Sequence, residues 1–356
     1  MSLNVYAWGR SFGDKISFNR PHSYLVYGIR GSGKSSLLET FAMKYLENGS
    51  HILDLFGSRD GESLAWLRSP IAEDKKILLL HGDNTDVSCS WDTKPVSKYT
   101  LSDIEKYDLV ISSSPLYSDI NTEYLQINKV LDLCYQRFEW KKPSFICIRE
   151  AANLLYSRMK ITPDQSMAKN QMIYFIREAR HTGWALGVDT LKFTSLDIDI
   201  RVTIDYIFIK CPGIAGIPKD LNFLYKIYNP LSLQRMPAEN FIVLTRRGSH
   251  GVGIFDYPKW HKDEGEPIMR KLGISVEHGE AIVESKKDHT VGDFQHVDIC
   301  SLRRDTLSYE KIATAQSVST ATAHSHVKIH NKDIVHNGFC KICTRAKSEL
   351  SDMVLP

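Results

Sequence analysis

An α/β fold with a mainly parallel sheet, followed by a small helical C-terminal domain, is what this sequence predicts. Three observations carry that expectation. Between Tyr24 and about Tyr257, short apolar runs alternate with longer amphipathic ones, the pattern of strands joined by helical crossovers. A glycine-rich turn, Gly28–Ser35, stands between one such run and an amphipathic stretch. From Glu280 to Gln295 the chain turns polar, and beyond it Ser, Thr, Ala and His dominate.

In chain order, strands are expected at Tyr24–Tyr27, Ile52–Phe56, Ile77–Leu80, Leu109–Ser112, Phe145–Ile148, Ala185–Val188, Tyr206–Ile209, Phe241–Leu244 and Gly253–Phe255. Helices are expected at Ser35–Glu47, Thr122–Trp140, Asp164–His181 and Asp220–Ile227. Pro212, Pro218, Pro230 and Pro237 exclude long helices from the later part, because each removes a backbone donor and fixes φ. The expected division is a body at 1–290, a linker at 291–300 and a tail at 301–356. With 356 residues, 42% apolar and 24% charged, the chain can bury one large core or two, and it is neither fibrous nor wholly disordered.

Charge says less. The net +3 comes from 45 basic and 42 acidic side chains, and it is concentrated in a mildly basic tail, too weak a bias to argue nucleic-acid binding alone. Apolar runs such as Ile77–Leu80 are strand-sized, far below the ~18–20 residues of a membrane span. Met1–Arg20 has no apolar centre of the kind a secretory signal needs. Cys89, Cys134, Cys147, Cys211 and Cys300 are scattered, and only Cys340 and Cys343 form a close pair; a reducing, cytoplasmic setting is expected.

The turn Gly28-Ile29-Arg30-Gly31-Ser32-Gly33-Lys34-Ser35 is a full G-x-x-x-x-G-K-[ST] phosphate loop, followed by Ser36. Its glycines let successive backbone N–H groups close on an anion, and the helix that follows adds its positive end. Lys34 is expected on the β/γ-phosphates and Ser35 on Mg²⁺, so ATP and Mg²⁺ are the expected ligands. Such a site needs a carboxylate at a neighbouring strand end. Glu150, closing Phe145–Ile148 and followed by Ala-Ala-Asn-Leu-Leu, is the expected water-activating base. Asp54, ending Ile52–Phe56, is the weaker alternative.

The order of phosphate loop, apolar strand with Glu150, Ile176-Arg177-Glu178-Ala179-Arg180-His181-Thr182-Gly183, apolar strand Trp184–Val188 and Thr194-Ser195-Leu196-Asp197 resembles the HerA/FtsK superfamily of P-loop ATPases over roughly residues 20–257. That resemblance implies a RecA-like core, a ring-shaped homo-oligomer and movement or packaging of double-stranded DNA. It also implies that Arg177 or Arg180, three apart on one helix face, reaches a neighbouring subunit's γ-phosphate. Two positions depart from the family. Arg149 stands where an acid supporting the metal is usual, and Asp189-Thr190-Leu191-Lys192 replaces the usual sensor Gln, with Thr190 closest to it.

In the tail, Leu307–His324 resembles a helix-turn-helix with Ser319 capping its second helix, where Thr320, Thr322, His324 and Ser325 would reach bases or phosphates. His326 and His330, at i and i+4, then Cys340-x-x-Cys343 offer four ligands for tetrahedral zinc, with His336 competing. An ATP-driven motor on double-stranded DNA is the expected function. A nucleotide-gated DNA-binding regulator with slow turnover is the alternative, and a P-loop protein whose tail docks a protein partner is a third reading.

Overall fold

The structure is a computed structural model. It describes residues 3–7, 16–56, 61–118, 144–153, 183–214, 216–261, 268–278, 293–304, 307–316, 318–337 and 339–344, with isolated positions between 123 and 177. The chain divides into two compact units, Met1–Gly279 and Glu280–Pro356. Among the described residues no helix is long and apolar enough to cross a membrane.

The strands of the first unit are β1 Leu3–Ala7, β2 Ser23–Tyr27, β3 Ile52–Phe56, β4 Ile77–His81, β5 Thr85–Ser88, β6 Asp92–Pro95, β7 Leu109–Ser112, β8 Ser144–Ile148, β9 Trp184–Thr190, β10 Tyr206–Ile209, β11 Asn240–Thr245, β12 His250–Phe255 and β13 Ser275–His278. Eleven of them form one sheet in the order β1-β12-β11-β10-β2-β9-β8-β3-β7-β4-β6, while β13 pairs with β5. From β10 through β2 to β6 the pairing is parallel; β11, β12 and β1 extend the other side as antiparallel neighbours. The central strands β8 and β9 are buried along their whole length, as parallel strands covered on both faces must be. The expected strands all form. β1, β5, β6 and β13 were not legible because polar residues interrupt each of them, and β6 (Asp-Thr-Lys-Pro) carries almost no apolar pattern.

One helix positions the site. α1, Lys34–Glu47, buries Leu37, Leu38, Phe41, Ala42 and Tyr45, the spacing that puts one stripe against a sheet. Beneath it Phe41 meets Phe208 at 4.7 Å between ring centroids, and Tyr45 stacks on Phe145 at 5.0 Å. Each such pair adds roughly 0.5–1.5 kcal/mol beyond area burial. The expected α-helix at Asp220–Ile227 is instead a 3₁₀ helix, Lys219–Lys226, hemmed between Pro218 and Pro230. Most of the helices expected at Thr122–Trp140 and Asp164–His181 lies outside the described residues. Those described there, such as Asp132–Cys134 and Ile176–Arg177, are helical.

In the second unit, α2 Asp293–Arg304, α3 Tyr309–Ala315 and α4 Thr320–Asn337 meet on Ile299, Ile312, Ala323 and Val327. The linker expected at 291–300 is therefore corrected. From Asp293 onward it is the first helix of the tail, and Ile299 at 0% exposure belongs to the tail core. Ser308 and Ser319 accept from the N–H groups of Lys311 and Thr322, capping α3 and α4.

Candidate functional site

β2 runs directly into Gly28–Ser35, and α1 leaves it. The loop is pinned on both sides: the Gly28 N–H donates to the Thr190 carbonyl at 3.3 Å and the Ile29 N–H to the Cys211 carbonyl at 2.9 Å. Gly33 has φ 82°, and a Cβ there would stand 2.8 Å from the Ala238 carbonyl oxygen, so the position requires glycine. The Ile29 carbonyl accepts from Ser32 Oγ at 2.7 Å and from Lys34 Nζ at 3.1 Å, which curls the lysine into the loop. α1 starts with no side-chain cap and no acid in its first turn. Its first N–H groups and positive dipole end are thus available to an anion held by the loop. Ser35 is half-buried, whereas Ser36 is fully buried, so Ser35 is the motif hydroxyl within reach of a ligand. This is a P-loop.

Strand order decides what faces it. β9 lies between β2 and β8, with Tyr27 opposite Thr190 and Ile148 opposite Val188. The three strand ends therefore bring the loop, Asp189-Thr190 and Arg149-Glu150 to one edge, in the RecA-like arrangement with one strand between the P-loop and Glu150. Ser35 Oγ donates to Asp189 Oδ2 at 3.1 Å, and the Glu150 backbone N–H donates to Asp189 Oδ1. Glu150 has φ 46°, an uncommon conformation for a residue with a side chain, at a cost of roughly 1–3 kcal/mol. Burial pushes the Asp189 carboxyl up to about 6; Lys34 opposes this and the charge of Glu62 adds to it. Thr190, fully buried, closes the following turn: its hydroxyl donates to the Lys192 carbonyl at 3.2 Å and accepts from the Lys192 N–H at 3.3 Å.

Arg149 is withdrawn from the loop into a charged cluster. Its guanidinium donates to Asp54 through Nε and Nη2 (2.7 Å for the shorter contact) and to Glu39 Oε1 at 2.7 Å, with all three side chains at 0% exposure. His261 bridges Glu39 at 2.9 Å and Glu62 at 3.3 Å. Burial works against ionised Glu62, but the His261 hydrogen bond and the Arg149 charge outweigh it and hold Glu62 at about 2. Burial likewise opposes protonated His261, and Glu39 prevails, raising it to about 9. A buried arginine is tolerable only with such compensation. Asp54, the alternative acid, is tied to Arg149 and to Trp66 Nε1, which donates to it at 2.7 Å.

Arg177 is exposed and pairs with Asp199 at 3.2 Å. It lines a cavity with Pro21, His22 and Ser23 at the start of β2 and Trp184 at the start of β9. At roughly 3.3 Å per strand residue, that is the opposite end of these strands from the P-loop. Within one chain Arg177 and the loop are thus kept apart. Arg180 lies outside the described residues.

The tail gathers a second constellation. His296, His330, Cys340 and Cys343 bring one ligand atom each within 4.8 Å of one another. His296 Nε2 is 3.4 Å from Cys340 Sγ, and His330 Nδ1 is 3.4 Å from Cys343 Sγ. His296 stands in this cluster where His326 was the expected member. The Nδ1 atoms of the two rings are 2.8 Å apart, so His326 orients the ring whose other nitrogen meets the thiols. Cys300, one turn beyond His296, is 3.6 Å from the same Nε2. Two imidazoles and two thiols are a donor set that suits tetrahedral zinc. The side chain of His336 lies outside the described residues. Sequence reading missed His296 because it took 291–300 for a linker, although His296-x-x-x-Cys300 has the same one-turn spacing as His326 and His330. Asp189 was passed over for Thr190. Its signal was an acid directly following the apolar run Trp184–Val188 within a buried strand, where burial demands a partner.

No family model and no curated protein matches the chain. Among solved structures it is similar to the DNA-packaging ATPase B204 from Sulfolobus turreted icosahedral virus, at 18% identity and TM-score 0.40, over 66% of this chain and 97% of that one. It is also similar to the pCW3 conjugation coupling protein TcpA, at 14% identity and TM-score 0.41, over 76% and 69%. A third likeness is to Thermomonospora curvata EccC, at 14% identity and TM-score 0.38, over 68% of this chain and 38% of that one. The site's own residues carry the reading that follows.

Proposed function

We propose that this protein is an ATP-hydrolysing motor that acts on double-stranded DNA as a homo-oligomeric ring. The observation that carries the ATPase reading is the convergence of the P-loop, Asp189 and Glu150 on one edge of the sheet. Bound ATP would lie along the loop's N–H groups, with Lys34 beside its β/γ-phosphates and the Ser35 hydroxyl on Mg²⁺. The oxygen donors there fit a hard cation that keeps most of its waters. Mg²⁺ supplies charge neutralisation at the phosphates. Glu150 takes the proton of the attacking water, and an arginine of the Arg177–Arg180 segment completes the site from a neighbouring subunit. The placement of Arg177 at the far end of β2 favours that trans role over one within its own chain.

The DNA part rests on the resemblance to the HerA/FtsK superfamily and on the tail. There, α3 and α4 with their Ser caps have the order of a helix-turn-helix, presenting Thr320, Thr322, His324 and Ser325 near the start of α4. His296, His330, Cys340 and Cys343 would hold a Zn²⁺ that braces the tail.

ATP turnover measured with and without duplex DNA tests the reading. The parent is expected to hydrolyse ATP faster with DNA, and a folded Lys34→Ala variant to bind no nucleotide. Turnover that ignores DNA while ATP tightens DNA binding would favour the nucleotide-gated regulator, which the Arg149 departure supports. Undiminished hydrolysis by Lys34→Ala would remove the P-loop from the chemistry.

A further inference from the structure

We infer that Asp189, at the end of β9, is the residue that holds Mg²⁺ together with Ser35, a task for which a P-loop needs a carboxylate close to its Ser/Thr hydroxyl. This rests on the ATPase reading above and deepens it.

Several acids surround the loop, and geometry separates them. Asp54 and Glu39 are fully buried and bonded to the guanidinium of Arg149. Glu62 is tied to His261 and faces Arg149 at 3.9 Å, although it too lies within hydrogen-bonding reach of Ser35. Asp189 differs from these. Among the described residues its two oxygens accept from the Ser35 hydroxyl and the Glu150 N–H, and neither is bonded to a cationic side chain. It is a carboxylate at 1% exposure aimed at the P-loop serine, with Lys34 as the largest of the charges that compensate it. A divalent cation at the Ser35 hydroxyl would provide the charge this buried acid lacks.

The same carboxylate has a second effect. By accepting the Glu150 N–H it holds that residue at φ 46°, so the metal-binding acid also sets the backbone that carries the general base. Arg149 cannot take that part. Its side chain leaves β8 towards Asp54 and Glu39, and its charge is opposite in sign.

The test is the Mg²⁺ dependence of binding of a fluorescent ATP analogue, measured on the full chain in chelator and over a Mg²⁺ titration. Asp189→Asn removes the charge and keeps one oxygen to accept the Glu150 N–H, while the Ser35 hydroxyl can turn to accept from the new amide. Affinity in chelator is expected not to fall below the parent's, because without a metal the carboxylate only repels the phosphates, while the Mg²⁺ concentration needed for tightening rises roughly 10–100-fold, the usual scale for losing a group that supports a metal. If the Asn variant does not fold, Asp189→Glu, which keeps the charge but displaces it, must also raise the Mg²⁺ requirement. An unchanged Mg²⁺ titration in either folded variant overturns the assignment, as does a requirement moved by Glu62→Gln and not by Asp189→Asn. A parent chain that binds no nucleotide would overturn the ATPase reading itself, an outcome readily told apart from these.

Discussion

The body buries Tyr24, Phe145 and Phe208 at 0% exposure against Phe41 of α1, whereas in the tail α2, α3 and α4 meet on Ile299, Ile312, Ala323 and Val327. Ordering a residue costs about 1.5 kcal/mol, which a large sheet core offsets by burying many side chains; the small cluster among the described residues of the tail, Ile299, Ile312, Ala323 and Val327 with Leu302, Leu307, Tyr309 and Val318 against it, offsets far less. In the body, polar groups could be gathered for chemistry. In the tail, the buried His296 and Cys340 and the half-buried His330 and Cys343 stand where further core would be needed, and a metal bound there would do the stabilising.

The contrast breaks most visibly if the tail's ligands are removed. Structural zinc supplies on the order of 10 kcal/mol of folding free energy. Cys340→Ser, or chelation of the parent, should therefore abolish amide protection in 293–344 while nucleotide binding at the P-loop stays within about twofold, since each unit has its own core. Metal content and hydrogen exchange, read together, check this. A metal-free parent with a protected tail would defeat the contrast. His326→Ala should weaken metal affinity by roughly 10–100-fold, as loss of an orienting partner does, and His296→Ala by more.

A smaller effect separates chemistry from binding inside the body. Glu150→Gln should bind ATP normally yet turn over ~10²-fold or more slowly, the scale for losing a general base. Single-turnover hydrolysis alongside nucleotide affinity measures both. Parent-like turnover would move the base elsewhere on that sheet edge.

How much of this was legible beforehand follows the same division. The body's strands announce themselves because buried parallel strands are continuous apolar runs, and the P-loop because its glycines are sterically required, as Gly33 shows. Glu150 could be read as the end of an apolar run. The partner of Ser35 could not, since Asp189 reaches it only through the register that sets β9 between β2 and β8. Arg149 read as a loss from the site. In the fold it is the centre of a charged cluster whose members come from α1, β3, the segment at Glu62 and His261, distant in sequence and joined only by packing. In the tail, His330, Cys340 and Cys343 were legible from local spacing. His296 was not, because the helix that carries it follows a polar stretch that reads as a boundary.

The two units should also respond to pH with opposite signs, the smallest effect and the sharpest form of the comparison. His261 lies between Glu39 of α1 and Glu62, with Arg149 and Asp54 in the same cluster, and its folded-state value is raised to about 9 from an ordinary 6.5. A raised histidine contributes stability that is full below about pH 6.5 and is lost as pH rises through about 9, because the folded state then binds the extra proton. The loss is at most about 3 kcal/mol, and less to the extent that Arg149 shares the same carboxylates. Metal binding in the tail runs the other way: thiols must lose protons to bind, so affinity grows as pH rises. Between pH 6.5 and 9 the body's melting temperature should fall while the metal concentration needed to fold the tail decreases. His261→Gln should flatten the first slope and leave the second alone. If parent and His261→Gln bodies melt with the same pH dependence, the ring between Glu39 and Glu62 does not hold its proton, and the cluster around Arg149 is neutralised in some other way.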